Sequence, residues 1–291
     1  MRVFITGANR GLGFATARRL ARDGHDVWIG ARDEVKGQSA CEAIRAAMPE
    51  AMVELVPIDL ASLASIRAAA ERAIERLGGA PLDVLFHNAG LLVPSPARRL
   101  TADGIEETLA VNTLAPIALT HALRQALGAG SRVVLVSSRL HLPGSRGVPV
   151  SYDLDDPEME RGYHPERAYK NSKLAVLWAT YELAARLAPR SITVNAVCPG
   201  FVPTTAAANT RGLMKFFLRY VLPIMPFATS KDTTSRHFAE LATSPAFEGK
   251  TGTFFADGAP MASSPESRDP VRRERFWAWA CHRIGIDPSS F

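Results

Sequence analysis

Short apolar runs alternate along the chain with longer stretches in which alanine, leucine and isoleucine recur at helical spacing. Val3-Phe4-Ile5 is the first run, and it leads into a helix predicted over 11–23. Runs at 26–30, 53–58, 82–87, 132–137 and 191–197 read as further strands, and 250–255 as a last short one. Between them the apolar period predicts helices over 36–47, 63–77, 106–127 and 165–187. Short continuous apolar runs fit strands buried on both faces, and longer helical periods fit the helices that bury them. Strand–helix alternation this regular implies βαβ units, hence an α/β fold with a doubly wound parallel sheet of about seven strands covered on both faces. Two stretches break the rhythm: 139–164, rich in Pro, Gly and acidic residues, and 201–237, rich in Thr, Pro and Met. Loops this long in a compact domain are functional or disordered. No repeat or linker divides the chain. Residues 1–291 read as one domain, with those two stretches as substrate-side insertions and 262–291 as a C-terminal extension.

Composition narrows the class. The chain is 47% hydrophobic and 22% charged, ordinary for a soluble globule and unlike a disordered or multi-span membrane protein. A chain of 291 residues buries a large core and folds without disulfides or metal. The net charge of +5 is spread along the chain, so no nucleic-acid partner is expected. The one dense basic cluster, 268–275, reads as a solvated helix start. Cys41, Cys198 and Cys281 lie far apart, with neither metal-ligand spacing nor an even count, which suits a reducing cytoplasm. The chain opens directly on a strand, without an export-signal pattern. The greasiest stretch, 213–227, holds Lys215, Arg219, Pro223 and Pro226 and is too short to span a bilayer. It reads as a lid helix over the active site, with an amphipathic membrane-surface helix as the alternative.

Chemistry begins where the first strand runs into Thr6-Gly7-Ala8-Asn9-Arg10-Gly11-Leu12-Gly13. Glycines between a strand and a helix let the backbone approach a dinucleotide pyrophosphate, and the helix start supplies free N–H groups and the positive dipole end. The Gly-x3-Gly-x-Gly spacing resembles that of the short-chain dehydrogenase/reductase family. Further motifs of that family stand in order. Asp59-Leu60 follows the third strand, Asn88-Ala89-Gly90 the fourth, and Asn112 lies in the next helix. Ser138 closes the fifth strand, Tyr169 and Lys173 have the Tyr-x3-Lys spacing, and Pro199-Gly200 follows the sixth strand, with Val202 and Thr204 beyond. The likeness covers residues 1–260. It implies that the glycine turn, Asp59, Leu60, Asn88, Ala89, Gly90, Tyr169, Lys173, Pro199, Gly200, Val202 and Thr204 bind the cofactor.

The second strand ends in Ala31-Arg32-Asp33. A carboxylate at that end selects NAD, and an arginine accommodates the 2′-phosphate of NADP. Asp33, twenty residues past Gly13, resembles an NAD carboxylate by count, yet Ala31 holds the acidic position and Arg32 follows it. With Arg10 in the glycine loop this favours NADP(H). The bland alternative is a surface pair of Arg32 with Asp33.

Tyr169 and Lys173, four apart, share a helix face. A cation beside a phenol lowers its pKa towards working pH, which suits acid–base work on a carbonyl or alcohol oxygen. The resemblance implies that Lys173 also holds the nicotinamide ribose, that Ser138 rather than Ser137 holds the substrate oxygen, and that Asn112 anchors a proton-relaying water. Asn112 can also act as a structural tie. His87, His121 and His141 read as structural, His141 being the one best able to reach the cleft, and Cys198 as a small buried hydrophobe. Within the family the chain resembles the branch of retinol dehydrogenases and protochlorophyllide reductases. The likeness rests on residues 27–37, on Ala168-Tyr169-Lys170-Asn171-Ser172-Lys173-Leu174, and on the 31-residue gap from Ser138 to Tyr169. His87 stands where the family more usually has Asn before Asn-Ala-Gly. The expectation is an NADP(H)-dependent oxidoreductase of a lipophilic carbonyl or alcohol, with a non-catalytic NADP(H)-binding regulator as the alternative. A homo-oligomer is expected by resemblance unless the C-terminal extension covers the usual interface.

Overall fold

The computed structural model describes residues 1–93, 95–145, 147–200 and 230–291. The strands are β1 (Arg2–Thr6), β2 (Asp26–Ala31), β3 (Val53–Pro57), β4 (Leu82–His87), β5 (Leu127–Val136), β6 (Thr193–Cys198), β7 (Phe254–Ala256) and β8 (Ala259–Pro260). The helices are α1 (Gly11–Arg22), α2 (Glu34–Ala47), α3 (Leu63–Leu77), α4 (Glu107–Leu109), α5 (Ala115–Leu123), α6 (Pro165–Leu187), α7 (Lys231–Thr243), α8 (Pro265–Arg268) and α9 (Pro270–Arg283). Among the described residues the strands form one sheet, in the order β3-β2-β1-β4-β5-β6-β7-β8. Every neighbouring pair is parallel except the β7–β8 hairpin. This is the expected doubly wound α/β sheet, extended by the two-residue β8.

Apolar side chains alternate between two buried layers. Val3, Ile5, Val27 and Phe86 face α1, α2 and α7. Phe4, Trp28, Leu85 and Val133 face α3, α5, α6 and the C-terminal extension. Burial on both faces is why the strands read as continuous apolar runs.

Four elements depart from the sequence reading. The helix expected over 106–127 is broken. Glu106 caps its start by accepting from the Thr108 and Leu109 amides, Ala110–Leu114 widens into a π turn, and α5 ends at Leu123. Pro116 cannot donate to the carbonyl four residues back and crowds it, so the wider turn just before it relieves the ladder. β5 pairs from Leu127, opposite Leu82, and then slips register so that Arg132 faces Val84. Ser131 Oγ fills the irregularity, donating to the Leu82 carbonyl and accepting from the Gly128 amide. The last expected strand starts late, because Asn195 holds the Lys250 carbonyl and the Thr253 amide in place of a ladder partner. Residues 231–237, read as part of a long loop, belong to α7.

The C-terminal extension packs across α6. Phe276 and Trp277 are buried, and Phe276 meets Trp178 at 5.4 Å and Tyr152 at 5.7 Å. The cluster at 268–275, expected as a solvated helix start, instead fastens the extension. Arg273 pairs with Glu182 at 2.6 Å, Arg272 with Glu266 at 3.0 Å, and Arg275 with Asp155. Arg268 lies over the Tyr181 ring at 4.8 Å. The chain end reaches α5, where His121 Nε2 hydrogen-bonds Ser290 Oγ at 2.8 Å and its ring meets Phe291 at 5.0 Å.

His87 closes β4 fully buried. Its Nε2 pairs with Thr120 Oγ1 at 2.9 Å, and Nδ1 has no partner among the described residues. Burial pulls its pKa from 6.5 down to about 3. An unfolded chain therefore binds a proton between about 6.5 and 3 that the folded chain refuses. Stability should rise with pH through that window, by about 1.4 kcal/mol per unit at most. His87→Asn is expected to flatten the loss of stability between pH 6.5 and 4, read by denaturant midpoints. An unchanged slope would assign the acid sensitivity elsewhere.

Candidate active site

The strand order reverses between β1 and β4, and in open α/β sheets ligands bind beyond the carboxyl ends at that crevice. β1 enters α1 through Gly7 and Gly11, at φ +66° and +63°. A Cβ on Gly7 would stand 2.9 Å from Ala89 Cβ, and one on Gly13 would stand 2.4 Å from Asn88 Nδ2. The turn is thus packed on Asn88 and Ala89. Asn88 Nδ2 donates to the Thr6 carbonyl at 2.9 Å, and the Ala89 amide donates to Thr6 Oγ1 at 3.2 Å. Arg10 stands at the N-cap of α1 without a side-chain cap bond. That leaves the start of α1, at Gly11, Leu12 and Gly13, suited to an anion.

Beside the turn is a groove of about 340 Å³ lined by Asn9, Arg10, Phe14, Lys36, Ser39, Ala40 and Ala43. Arg32 is exposed at the end of β2 and makes no ion pair among the described residues. Asp33 does not pair with it. Asp33 caps α2 by accepting from the Lys36 amide at 3.0 Å and pairs with the Lys36 ammonium. Sequence reasoning missed Lys36, since only the turn of α2 brings it beside Asn9 and Arg10. Across the sheet, Asp59 Oδ1 accepts from the Ala61 amide at 3.0 Å, and Leu60 packs partly buried on the core.

Tyr169 and Lys173 sit one turn apart on α6. β5 ends at Val136, two residues before Ser138. The two serines diverge. Ser137 Oγ donates to the Lys173 carbonyl at 2.8 Å, whereas Ser138 Oγ accepts from the Leu140 amide at 3.2 Å, and the Ser138 side chain favours the ionised form of the Tyr169 phenol. Lys173 Nζ donates to the Val136 carbonyl at 2.9 Å and lies 5.6 Å from the Tyr169 ring centroid. Burial pushes the Tyr169 phenol up to about 12 and pulls Lys173 down to about 8. The sequence reading had the ammonium lowering the phenol. Desolvation outweighs it instead, so burial favours the protonated phenol of Tyr169.

Asn112 occupies the π turn. Its Oδ1 accepts from the Leu91 amide at 2.8 Å, and its Nδ2 donates to the Leu91 carbonyl and to Ser172 Oγ, each at 2.9 Å. Its side chain is a tie between the exit of β4 and α6. A Cβ on Gly90 would lie 3.3 Å from Lys173 Nζ and 3.4 Å from Asn112 Oδ1, so this glycine lets the two converge. Pro199 accepts from Thr234 Oγ1 at 3.1 Å, and Gly200 has φ +69°. Val202, Thr204 and the 213–227 stretch lie outside the described residues.

His141 does not reach the cleft. It is buried, with both ring nitrogens hydrogen-bonded. Sequence reasoning also passed over Lys170 and Asn171. Lys170 Nζ donates to the Val148 carbonyl at 2.9 Å and pairs with Glu166 at 3.2 Å. The Asn171 amide bonds both backbone groups of Ser151. Together they fasten the 139–164 segment to α6. The available signal was a run of four polar residues, Lys170 to Lys173, that the helix buries.

Comparison with known proteins agrees with this fold. The profile of the adh_short_C2 family, described as enoyl-(acyl carrier protein) reductase, matches residues 7–233. Retinol dehydrogenase 12 of Mus musculus is 37% identical over 286 residues, covering 98% of this chain and 86% of that protein. Polyprenol dehydrogenase of Mus musculus is 34% identical, covering 94% of this chain and 81% of that protein. Among solved structures, a short-chain dehydrogenase from Burkholderia cenocepacia in complex with NADP matches at 30% identity and TM-score 0.68, covering 89% of this chain and 96% of that one. Fold and relatives together define an oxidoreductase of an alcohol/carbonyl pair. The chain belongs to the short-chain dehydrogenase/reductase family, on its retinol dehydrogenase-like branch.

Proposed function

We propose that this chain is an NADP(H)-dependent oxidoreductase that interconverts a lipophilic carbonyl and its alcohol. The observation that carries the reading is Tyr169 set one turn from Lys173 on α6, with Lys173 Nζ 5.6 Å from the Tyr169 ring and held on the Val136 carbonyl at the carboxyl end of β5. The cofactor fits the residues present. Gly7 and Gly11 take the positive φ of the turn and Gly13 packs against Asn88, which sets the start of α1 for a pyrophosphate; Arg10 and Lys36 line the groove beside it, and exposed Arg32 follows the end of β2, where a 2′-phosphate would be held. When bound, the nicotinamide supplies or accepts the hydride. Tyr169 gives its proton to the carbonyl oxygen, or takes one back in the reverse direction. Ser138 orients that oxygen and stabilises the charge developing on it. Lys173 holds its ammonium beneath the phenol, and Asn112 keeps the β4 exit against α6.

The lipophilic substrate is supported by the relatives' names, retinol and polyprenol dehydrogenases. It is supported too by Leu92 and Leu140, 50% and 36% exposed, each two residues beyond a site residue, Gly90 and Ser138. A homologous ketone series with NADPH tests it. Each added methylene is expected to raise kcat/KM up to about fourfold, from about 0.8 kcal/mol of burial apiece. A flat series, with polar carbonyls preferred, would reject the lipophilic pocket. Three free, buried cysteines suit a reducing compartment such as the cytoplasm, and no helix among the described residues is long and apolar enough to cross a membrane.

A further inference from the structure

Ser138 caps a single 3-10 turn, Arg139–His141, its Oγ accepting from the Leu140 amide at 3.2 Å. His141 folds its ring back under the same serine. Nδ1 hydrogen-bonds the Ser138 carbonyl, and Nε2 accepts from the Ser264 amide at 3.2 Å. One tautomer serves both bonds, with the proton on Nδ1, because a carbonyl only accepts and an amide N–H only donates. The ring is buried edge-on against Phe254 at 5.1 Å. Ser264 belongs to the C-terminal extension, which rides on α6. Tyr181 shares a hydrogen bond with Ser263 Oγ at 2.7 Å, and Trp178 Nε1 donates to the Glu266 carbonyl at 3.0 Å. The helix that carries Tyr169 thus seats the extension, and the extension reaches back through one imidazole to the segment that carries Ser138.

We propose that His141 is a positioning residue, whose ring links the C-terminal extension to the Ser138 backbone and so sets where the Ser138 hydroxyl stands relative to Tyr169. The proposal rests on reading Ser138 and Tyr169 as the reacting pair. His141 touches neither substrate nor cofactor and acts through Ser138. Displacing a group that orients the substrate lowers turnover without weakening cofactor contacts made elsewhere.

The test compares His141→Phe, which fills the space without hydrogen bonds, with His141→Asn, whose amide nitrogen can stand near the place of Nδ1 and donate to Ser138. With NADPH and a ketone substrate, kcat of the Phe variant is expected to fall by about 10–100-fold while NADPH affinity stays within about twofold. The Asn variant is expected to recover most of that loss. Ser264→Pro removes the amide donor at φ −60°, which proline adopts, and Ser264→Ala controls for the lost hydroxyl cap. The Pro variant should be several-fold slower than the Ala variant. Amide hydrogen exchange over 138–142 is read on the same proteins and should rise in the Phe variant more than in the Asn variant. A Phe variant with kcat within about twofold of the unmutated protein, an Asn variant no better than Phe, or equal Ser264 variants would overturn the proposal. If His141→Phe does not fold, the Ser264 pair decides. If the unmutated protein turns over no carbonyl, the functional reading fails by itself, and unchanged exchange in the Phe variant would separately overturn the positioning role.

Discussion

Tyr169→Phe is expected to lower kcat by about 10²–10⁴-fold, the usual contribution of a positioned general acid. That range corresponds to about 3–5 kcal/mol of barrier. The variant removes one oxygen and leaves the ring. The ring's contact with Lys173 Nζ, at 5.6 Å, survives, so the fold and NADPH affinity should stay close to those of the unmutated protein. The environment explains why the effect is on chemistry. Burial pushes the phenol up to about 12, so the hydroxyl is protonated at neutral pH and can donate to a substrate oxygen. A backup acid would have to stand in the same cleft. His141 is excluded, since its two nitrogens bond the Ser138 carbonyl and the Ser264 amide. Steady-state kinetics with NADPH and a reducible ketone would measure the effect. Retention of more than about a tenth of the activity would assign the proton to another group.

Arg32→Ala combined with Lys36→Ala should weaken NADPH binding by about 10²-fold or more while changing NADH affinity little. Each charge-assisted phosphate contact is worth about 1.5–3 kcal/mol, and NADH lacks the phosphate they hold. Arg32 is exposed without an ion pair among the described residues, so it is ready to meet an anion. Lys36 must share its ammonium with Asp33. Its single variant should therefore lose less affinity than that of Arg32, and Asp33→Ala should tighten NADPH slightly while lowering stability through the lost α2 cap. Nicotinamide fluorescence titrations with both cofactors would decide. Equal weakening towards NADH and NADPH would show that these cations support the loop rather than the 2′-phosphate.

Much of the site was legible because its motifs are local. Gly7 and Gly13 are set by the close approach of Ala89 and Asn88, and Gly11 by its positive φ. Tyr169 and Lys173 were legible from their four-residue spacing together with the apolar continuation Leu174-Ala175-Val176-Leu177-Trp178 and the likeness to the family's Tyr-x3-Lys motif. Ser138 was separable from Ser137 by register, and the structure gives the two hydroxyls different partners, the Leu140 amide and the Lys173 carbonyl. Asn112 was legible as a residue, but its tie to Leu91 and Ser172 depends on a π turn that apolar periodicity does not announce.

The sequence by itself determined the parallel α/β sheet and the order of its motifs. Apolar period and glycine spacing are properties of neighbouring residues, and the backbone reads them directly. Tertiary structure alone decided the electrostatics and the bracing. Whether a phenol beside a lysine titrates low or high depends on how much protein surrounds both, and around Lys173 that protein includes Gly90 after β4 and Val136 at the end of β5. Whether a basic stretch is solvated or paired depends on carboxylates elsewhere, and Arg273 meets Glu182 from 91 positions away. His141 reaches Ser264 across 123 positions of chain, a hydrogen bond that no local pattern encodes because its two ends meet only after the extension has folded onto α6.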